Sequence, residues 1–188
     1  MQDGGVTSTT PQHTLVISND YPPRAGGIQT FIYEMVRRFP ADQVTVLASD
    51  FDGATEFDQT NPWRVVRANT KVLLPTRRTL ALAKDLIGQT GATRVVFGAA
   101  APLGLLASAL RKAGATTIVS ISHGHEVGWA ATPLTRQAIR RIARHSDWFT
   151  YLGRYTLNGI KKATADKRLV AYRQLTPAVD TQEFHPER

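Results

Sequence analysis

The sequence predicts an α/β domain, with a mostly parallel sheet covered by helices on both faces. Three observations carry this reading. Short apolar runs rich in β-branched residues alternate with helix-period segments about six times. The runs are apolar throughout, as expected of strands buried on both faces. Polar residues gather just after strands, at Asn19-Asp20 and from His123 to Glu126, where such sheets bind ligands.

HTLVISND (13–20) reads as the first strand, and IQTFIYEMVRRF (28–39) as a helix with Phe31, Ile32, Met35 and Phe39 at helical spacing. QVTVLASD (43–50) is a second strand, FDGATEFDQTNP a loop, and WRVVRAN (63–69) a third, weaker strand. Pro75-Thr76 opens a helix that ends near Gly91. RVVFGAA (94–100) is a strand, PLGLLASALRKAGA a helix with Pro102 near its start, and TTIVSISHGHE (116–126) a strand ending in a polar cluster. Thr132-Pro133 caps a helix with Leu134, Ala138, Ile142 and Ala143 as its apolar stripe. DWFTYLG (147–153), RYTLNGIKKAT and KRLVAYRQLTP complete the alternation.

The ends read differently. Residues 1–12 are polar, without the charged-then-apolar layout of a signal peptide, and read as a frayed leader. The domain runs over 13–176. After it, 177–188 reads as a linker toward a further domain, because no apolar periodicity follows Val179.

Composition narrows the chemistry. The chain has 188 residues and no cysteine, which excludes disulfides, thiolate catalysis and Cys-based zinc sites. No apolar stretch approaches the roughly 20 residues needed to span a bilayer. The net charge of +8 is uneven. Residues 1–94 hold 10 Lys+Arg against 9 Asp+Glu, and residues 95–188 hold 13 against 6. Such asymmetry suits an anionic partner, or is simply a solvated basic face. Nucleic acid is disfavoured, because aromatics do not interleave with the charges and no reader motif is present.

The glycine pair Gly26-Gly27 follows a strand and precedes a helix, yet fits neither common phosphate loop. The dinucleotide fingerprint needs G-x-G-x-x-G, and the P-loop needs G-x-x-x-x-G-K-[ST]. Here Gly27 is followed by Ile28-Gln29-Thr30. The physical basis for an anion survives, since the first N–H groups of a helix are unpaired and its dipole favours negative charge. A plain turn is the alternative. His123-Gly124-His125-Glu126 could suggest a metal, since H-x-H on an extended chain puts both imidazoles on one face, but no third ligand is evident. An imidazole at a strand end, beside a glycine, suits hydrogen bonding to a hydroxyl-rich ligand better. A capping histidine is the plain reading. Arg77 and Lys84, seven apart with Arg78 adjacent, put positive charge on one side of a helix whose Leu80, Ala83 and Ile87 are apolar. Residues 132–173 add ten more Lys+Arg against Asp147 and Asp166.

NDYPPRAGGIQTF (19–31), SHGHE (122–126) and TPAVDTQEFHP (176–186), in that order, resemble the N-terminal domain of retaining GT-B glycosyltransferases of the sucrose-synthase-like, GDP-mannose-using group. The first motif is similar to that of actinobacterial mannosyltransferases acting on phosphatidylinositol monomannoside. The resemblance implies a Rossmann-like three-layer domain, the acceptor-binding half of a two-domain enzyme. The donor, GDP-mannose, would be bound mainly by a C-terminal domain beyond Arg188. The acceptor would be a phosphatidylinositol mannoside glycolipid, and no cofactor or metal is implied.

By the same resemblance His123 lies near the transferred sugar. Gly27 meets donor phosphate or acceptor through its N–H, and Gly26 permits the turn. Asp20, Arg24 and Gln29 line the loop, and Glu126 takes the acidic position of H-G-x-E/D. Arg77, Arg78 and Lys84 resemble residues that tether related enzymes to anionic lipid. Retention would proceed by front-face transfer, with no paired carboxylates for a covalent sugar intermediate. The implied location is cytoplasmic, peripheral at the inner face of the plasma membrane. The alternatives are a glycosyltransferase of this fold with another donor or acceptor, and a non-enzymatic Rossmann-like anion-binding module.

Overall fold

The computed structural model of the chain describes residues 12–164 and 171–177. The expected leader and linker lie outside these, apart from Gln12 and Pro177. Seven strands form one sheet in the order β3-β2-β1-β4-β5-β6-β7, and all six pairings are parallel. They are β1 (Thr14–Ser18), β2 (Val44–Ser49), β3 (Arg64–Ala68), β4 (Arg94–Phe97), β5 (Thr117–Ser120), β6 (Trp148–Tyr151) and β7 (Ala171–Gln174). The order reverses between β1 and β4, so the loops leaving these strands flank the crevice where such sheets bind ligands.

Alternation along each strand builds the three layers. Leu15, Ile17, Leu47, Val95, Phe97 and Ile118 face one side, under α3 (Arg77–Thr90) and α4 (Ala107–Lys112). Val16, Val46 and Val96 face the other, with Ile32 and Val36 of α1 (Gly27–Val36) packed on them. A third cluster joins Phe149 to Ile139 and Ile142 of α6 (Pro133–His145) and Ile160 of α7 (Arg154–Ala163). Fully burying an aliphatic side chain contributes about 1.5–3 kcal/mol, so these clusters dominate the fold's stability.

The helix signals of α3 work as expected. Thr76 accepts a bond from the Thr79 N–H, and Gly91 closes the helix in the left-handed region at φ 65°. Four expectations are corrected. The expected loop at 51–62 contains a helix, α2 (Ala54–Gln59). Its local sequence is a poor helix signal, but Phe57 docks against Tyr21 and Tyr33, with ring centroids 6.3 and 5.6 Å apart. The expected single helix after Pro102 begins as a 3-10 turn over Leu103–Leu106. There α6 comes so close that a Cβ on Gly104 would lie 2.6 Å from Ile142 Cγ2. In α6 itself the buried stripe is Ile139, Ile142 and Ala143, whereas Leu134 is 83% exposed. Thr132 extends into Pro133 as expected, but its hydroxyl bonds Thr135 and not the helix backbone.

Candidate functional site

The loop after β1 is pinned at Asn19, Asp20, Tyr21 and Pro22. The Asn19 side chain donates to the Leu73 carbonyl at 2.9 Å and accepts from the Leu73 N–H at 2.5 Å. Ser49 Oγ donates to the Asn19 carbonyl at 3.0 Å. Tyr21 is buried among Tyr33, Phe57 and Trp63, and its hydroxyl accepts from the Trp63 indole N–H at 2.8 Å. Burial pushes that phenol well above its ordinary range. Arg67, with its side chain only 12% exposed, donates to both carboxylate oxygens of Asp58, to the Ser49 carbonyl and to the Pro22 carbonyl. Sequence reasoning missed Arg67, which reads as an ordinary charged residue of a half-exposed strand.

The loop ends at the glycine pair. Gly26 has φ 154°, and a Cβ there would lie 2.2 Å from Gln29 Oε1. Gly26 is therefore glycine for conformation and for space. Gly27 opens α1, is exposed, and has open room where a Cβ would be. Gln29, expected to line the loop, is buried and donates to Asp20 Oδ1 at 2.9 Å. Asp20 and Gln29 thus bind each other and hold the loop closed. Arg24 is exposed on it.

His123 follows β5. Its Nε2 lies 2.7 Å from the Gly98 carbonyl just past β4, and its ring meets Phe31 of α1 edge-on at 5.2 Å and 84°. A carbonyl can only accept, so Nε2 carries the proton and Nδ1 is the ring's acceptor. Burial lowers the pKa below the ordinary histidine value; the Gly98 carbonyl and the charges of Glu126 and Asp20 oppose that shift, and His125 adds to it. The imidazole is therefore neutral at pH 7. Gly98 allows β1 and β4 to close up, since a Cβ there would lie 2.5 Å from Ser18 Oγ. Glu126 opens α5 (Glu126–Ala131) and is fully buried. Small residues straight after β4 were the available signal for Gly98, and Ser122 stood beside the histidine motif.

The geometry gathers Gly26, Gly27, Gln29, Asp20, His123 and Glu126 at the carboxyl end of the sheet, around the point where strand order reverses. Arg77, Arg78 and Lys84 are elsewhere. They are exposed on α3, which packs on the opposite face of the sheet from α1.

The family described as Glycosyltransferase Family 4 matches residues 25–171. The chain belongs to this family. Its similarity extends to curated proteins. It is 42% identical over 180 residues to a GDP-mannose-dependent alpha-(1-6)-phosphatidylinositol monomannoside mannosyltransferase of Mycolicibacterium smegmatis, covering 92% of this chain and 46% of that protein. It is 37% identical over 175 residues to the GDP-mannose-dependent monoacylated alpha-(1-6)-phosphatidylinositol monomannoside mannosyltransferase of Corynebacterium glutamicum, covering 92% and 45%. This family 4 chain thus spans about half the length of these relatives. Among solved structures, it matches the Anabaena protein HepE in complex with UDP and glucose, with a TM-score of 0.68 at 12% identity, over 94% of this chain and 48% of that one. Sucrose-phosphate synthase of Thermosynechococcus elongatus matches with a TM-score of 0.63 at 11% identity, over 93% and 50%. These two likenesses support the Rossmann-like fold expected of a GT-B half.

Proposed function

We propose that this chain is the acceptor-side half of a retaining mannosyltransferase that moves mannose from GDP-mannose to a phosphatidylinositol mannoside. The observation that carries the proposal is the 42% identity, over nearly the whole chain, to a relative named for that reaction. The site geometry is consistent with it. Gly27 offers an open helix N-terminus for phosphate, and His123 offers a neutral ring with Nδ1 as acceptor beside it. Among the described residues at the site, Asp20 is tied to Gln29 and Glu126 is buried in its own turn, so these two do not stand as a free pair for a covalent sugar intermediate. Its contribution is positioning and charge stabilisation, with the nucleotide held mainly by the other half.

Arg77, Arg78 and Lys84 are the proposed contacts to an anionic membrane at the inner face of the plasma membrane. Val72 and Leu74, in the segment leading into α3, are exposed apolar side chains, and Phe51 is exposed beside Lys71. Among the described residues no helix is long and apolar enough to cross a membrane. A second reading keeps the family but changes the donor, because donor choice belongs to the other half and HepE, of like fold, was solved with UDP.

The test uses the full-length polypeptide with GDP-mannose and the glycolipid. His123→Ala should lower turnover by about 10²-fold or more, with the unfolding midpoint little changed. Near-normal turnover removes His123 from the site, and transfer from UDP-sugars alone replaces the first reading with the second. Residues 1–188 alone should bind anionic vesicles in a salt-sensitive way without transferring mannose.

A further inference from the structure

The reading above gives Glu126 no role in the reaction, yet its surroundings are tightly constrained. It is fully buried, which is rare for a glutamate unless its oxygens are bonded. Oε2 accepts from Ser122 Oγ at 2.9 Å and from the Gly124 N–H at 3.2 Å. Ser122 is itself fully buried, and its Oγ lies 3.4 Å from the same N–H. These bonds close a turn in which Gly124 sits at φ 103°, a conformation other residues rarely adopt. Oε1 has no hydrogen-bond partner among the described residues, and the ring nitrogen His125 Nε2 lies 3.3 Å from it.

His123 sits inside that turn, one residue past Ser122 and one before Gly124. Its ring is braced on one side by the Gly98 carbonyl and on another by Phe31. Those braces work only if the backbone delivers the ring to them. The bonds that fix the backbone on both sides of His123 converge on one carboxylate oxygen.

We propose that Glu126 is the positioning residue for His123: its carboxylate sets the 122–124 turn, and the turn sets the ring against Gly98 and Phe31. Glu126 acts through His123 and touches no substrate. Its value to catalysis rests on the placing of His123 in the site, whereas its hold on the ring does not. A Gln side chain keeps an oxygen able to accept from Ser122 and Gly124, and an Ala side chain does not. Geometry and charge are therefore separable by substitution.

The experiment compares Glu126→Ala, Glu126→Gln and Ser122→Ala in the full-length polypeptide. The readouts are kcat, KM and the imidazole ¹⁵N–¹H spectrum of His123. Glu126→Ala should lower kcat by roughly 10²-fold with KM changed far less, because misplacement of a positioned group acts on the chemical step. The Nε2–H signal of His123 should shift or broaden with it. Glu126→Gln should restore kcat to within about threefold of the parent and return the ring signal, since its oxygen replaces the lost acceptor. Ser122→Ala should give a smaller loss in the same direction, and it carries the test if Glu126→Ala fails to fold. An unchanged His123 signal in both Glu126→Ala and Ser122→Ala overturns the proposal. So does a Gln variant as impaired as the Ala variant, which would assign Glu126 a charge-dependent role. If His123→Ala leaves transfer intact while Glu126→Ala still displaces the ring, the placing of His123 in the site fails and the positioning role stands.

Discussion

The loop that follows β1 is held from a distance, whereas the turn that follows β5 largely holds itself. Asn19, Tyr21 and Pro22 are tied to Leu73, Trp63 and Arg67, partners 54, 42 and 45 residues away. The bonds that shape the 122–126 turn come from Ser122, Gly124 and Glu126, at most four residues apart. The His123 ring reaches out of it, to the Gly98 carbonyl past β4 and to Phe31 of α1. The first arrangement ties the loop after β1 to global stability. The second lets the His123 ring be tuned by its immediate neighbours with little effect elsewhere.

The largest expected effect lies at Arg67. Arg67→Ala leaves Asp58 and two backbone carbonyls without a buried donor, and should cost about 3–5 kcal/mol. Urea unfolding reads this directly, and a loss under about 1 kcal/mol would show that the loop does not depend on its distant anchor. Asn19→Ala should follow at about 1–3 kcal/mol, since it leaves both backbone groups of Leu73 unserved.

Gly26→Ala should cost a comparable 1–3 kcal/mol or so, through strain at φ 154° and collision with Gln29. Its neighbour divides fold from function. Gly27→Ala meets no atom within 4 Å and should change stability by about 0.5 kcal/mol or less, yet impair transfer in the full-length polypeptide. Equal damage to stability from both glycine variants would contradict the assignment.

The smallest effect is the pH response of the turn. The His123 pKa is lower in the folded chain than in the unfolded one, chiefly through burial. The unfolded state therefore binds the proton more readily, and stability falls as pH drops from above about 6.5 toward the folded value. His123→Gln should flatten this slope in thermal melts from pH 7.5 to 5.5. A slope unaltered by the substitution would assign it to other groups, His145 among them.

This contrast also explains what could be read in the chain. The strands were legible because buried parallel strands are written as unbroken β-branched runs. α3 was legible because its Thr76 and Gly91 caps are local signals. α2 was not, because Phe57 finds its reason to be helical in Tyr21 and Tyr33, far away in sequence. In the site, Gly26, His123 and Glu126 could be singled out from pattern alone. That Gln29 binds Asp20, that Gly98 receives His123 and that Arg67 holds Pro22 are matters of topology. They appear only once β3, β2, β1, β4 and β5 lie in that order with α1 packed over them.

Phe31 carries one last consequence. Gly27 and Phe31 are four residues apart on α1, a rise of roughly 6 Å along its axis, and Phe31 touches the His123 ring. One rigid turn of helix therefore acts as a gauge block between the N-terminal end of α1 and the imidazole. Inserting a single alanine between Gly27 and Phe31 would rotate that end by about 100° relative to the ring. Both halves of the site would survive, set to the wrong spacing.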